Sequence, residues 1–297
     1  MKTPSAAPSP FETATPLLFV LMWSTGFIAA KYAMPHASPM LFLSLRFAIA
    51  GGLFGLLALG MGAKWPDYRH GLHAVLAGAL LHGAYLGPIF WVIAHGMPAG
   101  VVALITGLQP FLTAILSGFL LREKIAPRHW VGLAIGLAGV GMVVSPKLSA
   151  GFSGVTPFNL ALSLFAVVCI ALGTLQQRAR AGSMDLRTGT TLQYLGGGAV
   201  TLLAMLTLED MRFDATAELF FALGWSVLVL SLGAISLLML LLRRGSASRV
   251  AGLIYLVPGV TAIMAWACFG ETLLPIQIVG MAVCAGGVML VTRKPQS

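Results

Sequence analysis

Apolar runs separated by short polar turns dominate this chain. Runs of about 20 apolar residues, the length that crosses a bilayer as a helix, recur along it. They fall at 15–35, 39–60, 72–94, 98–121, 127–145, 156–178, 188–208, 218–242, 247–269 and 273–292. Pro35-His36-Ala37-Ser38-Pro39 divides the first pair, and His95-Gly96-Met97-Pro98 divides the third from the fourth. Both are helix-breaking turns. The pattern predicts an all-α integral membrane protein with ten transmembrane helices.

Composition strengthens that reading. Of 297 residues, 58% are hydrophobic and 9% charged, where a soluble domain carries about 25% charged residues. A mean hydropathy of +0.92 exceeds what one globular core can hide, so lipid is the solvent for most of the chain. The 35 glycines suit helices that pack closely in a bilayer. The segment before the first run is rich in Pro, Ser, Ala and Thr and lacks a basic n-region and a cleavage site. It reads as a flexible cytoplasmic tail over residues 1–14, not a signal peptide.

The net charge of +9 bears on topology, not on nucleic acid. With the N-terminus cytoplasmic, 14 basic residues fall on that side; Lys147 and Arg212 fall on the other, and Lys31 and Arg46 lie within spans. Such asymmetry orients membrane proteins and predicts both termini in the cytoplasm. The acidic connection holding Glu209, Asp210, Asp214 and Glu218 is then external. Cys169, Cys268 and Cys284 lie in apolar stretches without metal-ligand spacing and read as small buried hydrophobes. Neither a metal nor a cofactor is expected.

The sequence also repeats itself. At an offset of 148 residues, 16 identities fall in the 46 positions from Ala99 to Val144, without a gap. Pro110 falls on Pro258, Thr113-Ala114-Ile115 on Thr261-Ala262-Ile263, Glu123 on Glu271, Gly132 on Gly280 and Gly139 on Gly287. Two halves follow, 15–148 and 149–297, with helices 1–5 and 6–10. Five spans per half place the second half upside down, giving two inverted five-helix repeats. Inverted repeats are characteristic of secondary transporters, with the site near the midplane between the halves.

The repeated unit is a Pro, a Glu thirteen residues on, a Gly nine beyond and a Gly seven after that. It resembles the EamA repeat of the drug/metabolite transporter superfamily. Trp23-Ser24-Thr25-Gly26-Phe27 with Lys31, and Leu45-Arg46-Phe47, resemble the first-repeat signature of that family. The resemblance extends over nearly the whole chain and includes the branch of bacterial aromatic amino acid exporters of YddG type. It implies a ten-helix bundle around a central cavity, in the bacterial inner membrane, exporting amino acids that are aromatic or otherwise neutral.

Residues that could carry transport are few. All nine Asp and Glu stand in tails, loops or helix ends, whereas proton-coupled carriers route protons through intramembrane carboxylates. Facilitated diffusion by alternating access is therefore expected, without obligatory proton coupling. His82 and Tyr85 share a helix face with Ile89 at i, i+3 and i+7, and both read as lining the substrate cavity. The alternative for His82 is a bond to a neighbouring helix. Lys31 and Arg46 are intramembrane cations whose partners are carbonyls, water or an anionic substrate group; Lys31 can instead snorkel to the interface. Pro110 and Pro258 should kink their spans, either as hinges or as fixed bends. Gln109 and Tyr255 beside them are lining candidates, as are Gln176, with Gln177, Gln193 and Tyr194, and Trp23, whose ring can stack on an aromatic substrate.

Rival readings remain. One is an exporter of another metabolite or drug, with or without proton coupling through His82. Another is a membrane-embedded enzyme pairing Ser117 or Ser231 with His82; neither serine sits in a nucleophile motif, and the chain reads as a non-enzyme. The expected partners are a small-molecule substrate, amino acids first, and the lipid bilayer. The glycine-rich faces fit a monomer or a homodimer.

Overall fold

In a computed structural model, residues 10–120, 127–149, 154–180, 184–244, 256–271 and 274–292 are described. Among them every regular element is helical. The helices are α1 (Pro10–Ala33), α2 (Pro39–Gly60), α3 (Tyr68–Gly78), α4 (Tyr85–Ala94), α5 (Ala99–Thr106), α6 (Gln109–Leu120), α7 (Pro127–Ser149) and α8 (Pro157–Arg180). They continue with α9 (Leu186–Leu208), α10 (Ala217–Trp225), α11 (Ile235–Arg244), α12 (Val257–Phe269) and α13 (Pro275–Thr292). Two π-helical segments interrupt long helices: π1 (Ala79–Ala84) joins α3 to α4, and π2 (Ser226–Ala234) joins α10 to α11.

Seven of these rods are long and apolar enough to cross a membrane: Ala14–Ala33, Pro39–Gly60, Tyr68–Ala94, Ala99–Leu120, Pro157–Gln177, Leu186–Leu208 and Ala217–Leu238. Shorter apolar helices occupy Trp130–Val143, Val257–Phe269 and Pro275–Gly287. Helix ends follow local chemistry. Asp67 caps α3 by accepting from His70 N at 2.9 Å, and Asp185 caps α9 by accepting from Arg187 N at 2.9 Å, each satisfying an amide the helix leaves orphaned. α1 begins at Pro10, five residues before the first apolar run, because proline is tolerated in a first turn.

The chain alternates between two ends of the bundle. At one end lie Lys31, the α1–α2 turn and the connection after α9, where Ser38 N donates to Arg212 O at 3.0 Å and Asp214 N to His36 O at 2.8 Å. At the other end Thr188 Oγ1 donates to Lys64 O at 3.3 Å, tying the Trp65 loop to the start of α9.

Three pairs of equivalent helices from the two sequence halves pack against each other and run antiparallel: α7 with α13, α2 with α9 and α5 with α12. A Cβ on Gly139 would stand 2.6 Å from Gly280 O, and one on Gly287 would stand 2.9 Å from Gly132 O. Ascending α7 therefore means descending α13, and only residues without side chains permit this approach. The offset of 148 carries Gly139 to Gly287 and Gly132 to Gly280, so one contact maps onto the other. The same crossing recurs between α2 and α9, where Gly51 faces Tyr194 and Gly55 faces Thr191. It recurs again between α5 and α12, where Gly100 faces Ala262 and Gly107 faces Pro258.

Candidate functional site

Arg46 lies seven residues into α2, about 10 Å below the Lys31 end at 1.5 Å per residue. It is 7% exposed, too buried to reach water readily from mid-helix. Its Nε donates to Ser231 Oγ at 3.1 Å, and Tyr194 and Tyr85 are its electrostatic neighbours. Among the described residues, Arg46 has no carboxylate partner. A buried cation is costly unless paired or wetted, so this guanidinium keeps donors for a further acceptor.

The groups around it come from both halves. Tyr194 on α9 is 2% exposed and donates its hydroxyl to Ser231 O at 3.3 Å. The His82 ring stacks on Tyr194 with centroids 4.8 Å apart and tilts against Phe47 at 5.7 Å. His82 Nε2 is buried without a hydrogen-bond partner, and Gln193 is its polar neighbour. Tyr85 meets Thr106, the last residue of α5. His82 sits in π1 and Ser231 in π2. A π turn widens a helix locally and tends to occur at functional positions; here the two segments occupy the corresponding helix of each half and converge on one guanidinium.

Close packing sets this geometry. A Cβ on Gly78 would fall 1.9 Å from Gln193 O, and one on Gly196 would fall 1.9 Å from Val75 O. α3 and α9 thus touch backbone to backbone just before π1, which presses His82 onto the Tyr194 ring.

The remaining sequence candidates are distributed along the bundle. Lys31 forms an ion pair with Glu271 and lies 4.5 Å from the Phe269 ring centroid. The sequence leaves its partner among carbonyls, water and substrate; the structure supplies a carboxylate 240 residues away. Near Pro110 the rod Ala99–Leu120 loosens to a turn at Gly107–Leu108, bridged by Gly107 N to Ala103 O and Leu108 N to Ile105 O, each at 3.0 Å, and Pro110 occupies the first turn of α6, where its missing N–H is tolerated. Pro258 likewise stands in the first turn of α12. A Cβ on Gly107 would lie 3.3 Å from Pro258 Cγ, so the turn meets the start of α12. Gln109 Nε2 donates to Thr174 Oγ1 at 3.4 Å. Gln176 pairs with His73 Nδ1 at 3.5 Å, and His73 is nine residues, about 13 Å, from His82 toward the Trp65 end. Trp23 packs on Phe19 at 5.3 Å, and Ser24 beside it donates to Val257 O at 3.5 Å. Tyr255 lies outside the described residues.

Sequence reasoning names Ser231 only as a rival nucleophile beside His82 and not as a substrate-site residue, and it leaves Tyr194 and Gln193 as secondary candidates. Their role depends on α9 and π2 lying against α2, a pairing that residue spacing within one helix does not encode. Charges at the bundle ends are set locally. Arg187 holds the Asp185 carboxyl down to about 2, and burial pushes the Glu209 carboxyl up despite its bonds to the Met40 and Leu41 amides. A cavity of about 480 Å³, lined by Lys64, Trp65, His70 and Arg187 among others, opens at the Trp65 end, away from the Arg46 cluster.

A bundle of membrane-length helices closing around a buried guanidinium, with an interrupted helix beside it, defines a multi-pass membrane transporter. Known proteins agree. The EamA-like transporter family matches residues 14–145 and again 158–293. The chain is 28% identical to the inner membrane transporter YedA of Escherichia coli (strain K12), over 92% of this chain and 87% of that one. It is 26% identical to a probable amino-acid metabolite efflux pump of Salmonella typhimurium (strain LT2), over 92% of each. A solved crystal structure shares the fold with a TM-score of 0.64 at 20% identity, covering 94% of this chain and 95% of that one. The chain belongs to the EamA-like transporter family of the drug/metabolite transporter superfamily, and it is a multi-pass inner-membrane protein.

Proposed function

We propose that the protein exports neutral amino acids, aromatic ones included, by facilitated alternating access. One observation carries this reading: Arg46 is buried within the membrane with no carboxylate partner among the described residues. An α-carboxylate fits its remaining N–H donors as a planar, charge-assisted pair. The aromatic rings of Phe47, His82, Tyr85 and Tyr194 offer a wall for an apolar side chain. Gln109 and Gln176 lie further along the same route toward the Trp65 end, with Trp23 and Tyr255 as further lining residues. The similarity to a protein named as an amino-acid metabolite efflux pump points the same way.

In this reading the chain crosses the membrane ten times as two inverted five-helix repeats, 15–148 and 149–297, after a tail at 1–14. Both termini are cytoplasmic, so the Lys31 end faces outward. The start of α6 at Pro110 and the start of α12 at Pro258 act as hinges, because each proline lacks the N–H that would close a helical turn there. Metal and cofactor take no part, and the protein works as a monomer or homodimer. The carboxylates of the described residues stand at helix ends, which supports substrate-driven flux without obligatory proton coupling.

The test is counterflow in liposomes at equal pH on both sides. Labelled phenylalanine should accumulate against unlabelled phenylalanine or methionine but not against a sugar or a quaternary amine. Arg46→Gln should cut that flux roughly ten- to hundred-fold, the value of a charge-assisted hydrogen bond. Accumulation with a non-amino-acid preload alone would reject the cargo. Flux appearing only under an imposed pH gradient would favour coupling through His82.

A further inference from the structure

We propose that the Lys31–Glu271 ion pair is a latch that holds the Lys31 mouth of the transporter shut and must open once in each transport cycle.

Three elements meet at Glu271. Its carboxylate pairs with the Lys31 ammonium at the end of α1 and accepts from Ala99 N, the first residue of α5, at 3.4 Å. Its own chain position follows Gly270, where a positive φ of 65° turns the backbone out of α12. One side chain therefore ties α1 and α5 of the first half to α12 of the second. Around it the same three helices make further contacts. The Lys31 ammonium rests on the Phe269 ring, Tyr32 tilts against that ring at 4.9 Å, and Ala262 packs on Gly100. Arg46 lies about 10 Å below the same end. In the proposed cycle substrate on Arg46 is exposed to that side as α1, α5 and α12 part, and their parting separates Lys31 from Glu271.

The chemistry suits a reversible contact. The two side chains are 31% and 14% exposed, so each can be rehydrated as the pair opens. A partly exposed ion pair is weak enough to break thermally, unlike a fully buried one. After release, Glu271 still sits at the amino end of α5, where the helix dipole favours a negative charge. The carboxylate is thus not stranded in either state, and re-closure needs only the ammonium to return. Lys31 serves here as a positioning residue and not as the group that holds the cargo.

The proposal rests on alternating access and not on the choice of amino acid. The test therefore reads accessibility, not flux. Ala262 is 4% exposed at the interface that must part, so Ala262→Cys is placed in a background with Cys169, Cys268 and Cys284 replaced. Its labelling by a membrane-impermeant maleimide is followed from the Lys31 side in reconstituted protein. Lys31→Gln and Glu271→Gln should each raise the labelling rate at least five-fold, and Lys31→Glu with Glu271→Lys should restore the slow rate. Thermal unfolding of each variant is measured in parallel. Unchanged labelling in folded single variants would overturn the latch, as would a charge swap that labels as fast as the singles. If a single variant does not fold, Lys31→Arg keeps the charge at altered length and should label at an intermediate rate; an unchanged rate there also counts against the latch.

Discussion

Arg46 and His82 show how one residue's surroundings decide its use. Arg46 spends Nε on Ser231 Oγ and keeps its outer nitrogens. His82 presents a buried Nε2 without a partner, held by a ring stacked on Tyr194. An unpaired polar atom at depth costs about 1–3 kcal/mol, a penalty that a bound ligand or water can relieve. His82→Ala removes both the unpaired atom and the stacking wall. The expected result is a loss of phenylalanine counterflow of at least ten-fold, while the protein still inserts and its thermal stability changes little, because relief of the buried nitrogen offsets lost packing. Equal flux at equal expression would exclude His82 from the site. The conservative His82→Phe keeps the wall, so recovery of flux in that variant would assign the ring, and not the nitrogen, to substrate contact.

At the scale of elements, α3 and α9 position the site through glycine. A methyl group on Gly78 would meet Gln193 O at 1.9 Å and one on Gly196 would meet Val75 O at 1.9 Å, distances that force the helices apart. Gly78→Ala should destabilise the protein by roughly 1–3 kcal/mol, as overpacking does, and read out as a lower midpoint of thermal unfolding in detergent. Because the shift moves π1 away from Tyr194, counterflow should fall more than folded yield does; equal losses would mean that the contact supports only the fold. The elements themselves were partly legible. The apolar run at 39–60 coincides with α2 (Pro39–Gly60), since a long run between two breakers leaves few choices. The run at 98–121 reads as one kinked helix, yet it loosens to a turn at Gly107–Leu108. Proline marks where a helix is disfavoured, and the turn falls two to three residues before it, at the carbonyls that its missing N–H and its ring leave unpaired. The π segments left no sequence signal at all, because an extra residue in a helical turn is selected by tertiary contacts and not by apolar spacing.

At the scale of the whole molecule, three pairs of equivalent helices cross antiparallel among the described residues, and this was visible in sequence only where the repeat was strong. The identities between 99–144 and 247–292 include Gly132, Gly139, Gly280 and Gly287, the residues at which α7 and α13 touch. The pair α2 and α9 carries little of that identity, yet it crosses in the same sense, because fold symmetry outlasts side-chain similarity wherever packing tolerates substitution. Lys31 and Glu271 were equally hidden, being 240 residues apart and joined only once the halves oppose each other. Opposed halves make a demand on topology that can be checked end by end. Met211 and Leu274 are exposed at the Lys31 end, and Met61 is exposed at the Trp65 end. With both termini cytoplasmic and ten crossings, a cysteine replacing Met211 or Leu274 should react with an impermeant maleimide added outside intact spheroplasts. One replacing Met61 should react only after permeabilisation. Met211 follows α9 and Leu274 precedes α13, so their shared labelling requires an even number of crossings between them, as α10 to α12 supply in two passes. Opposite labelling of those two sites would remove a crossing from the second half and break the match between halves; Met61 labelled from outside would invert the whole protein and place the Lys31–Glu271 contact on the cytoplasmic face.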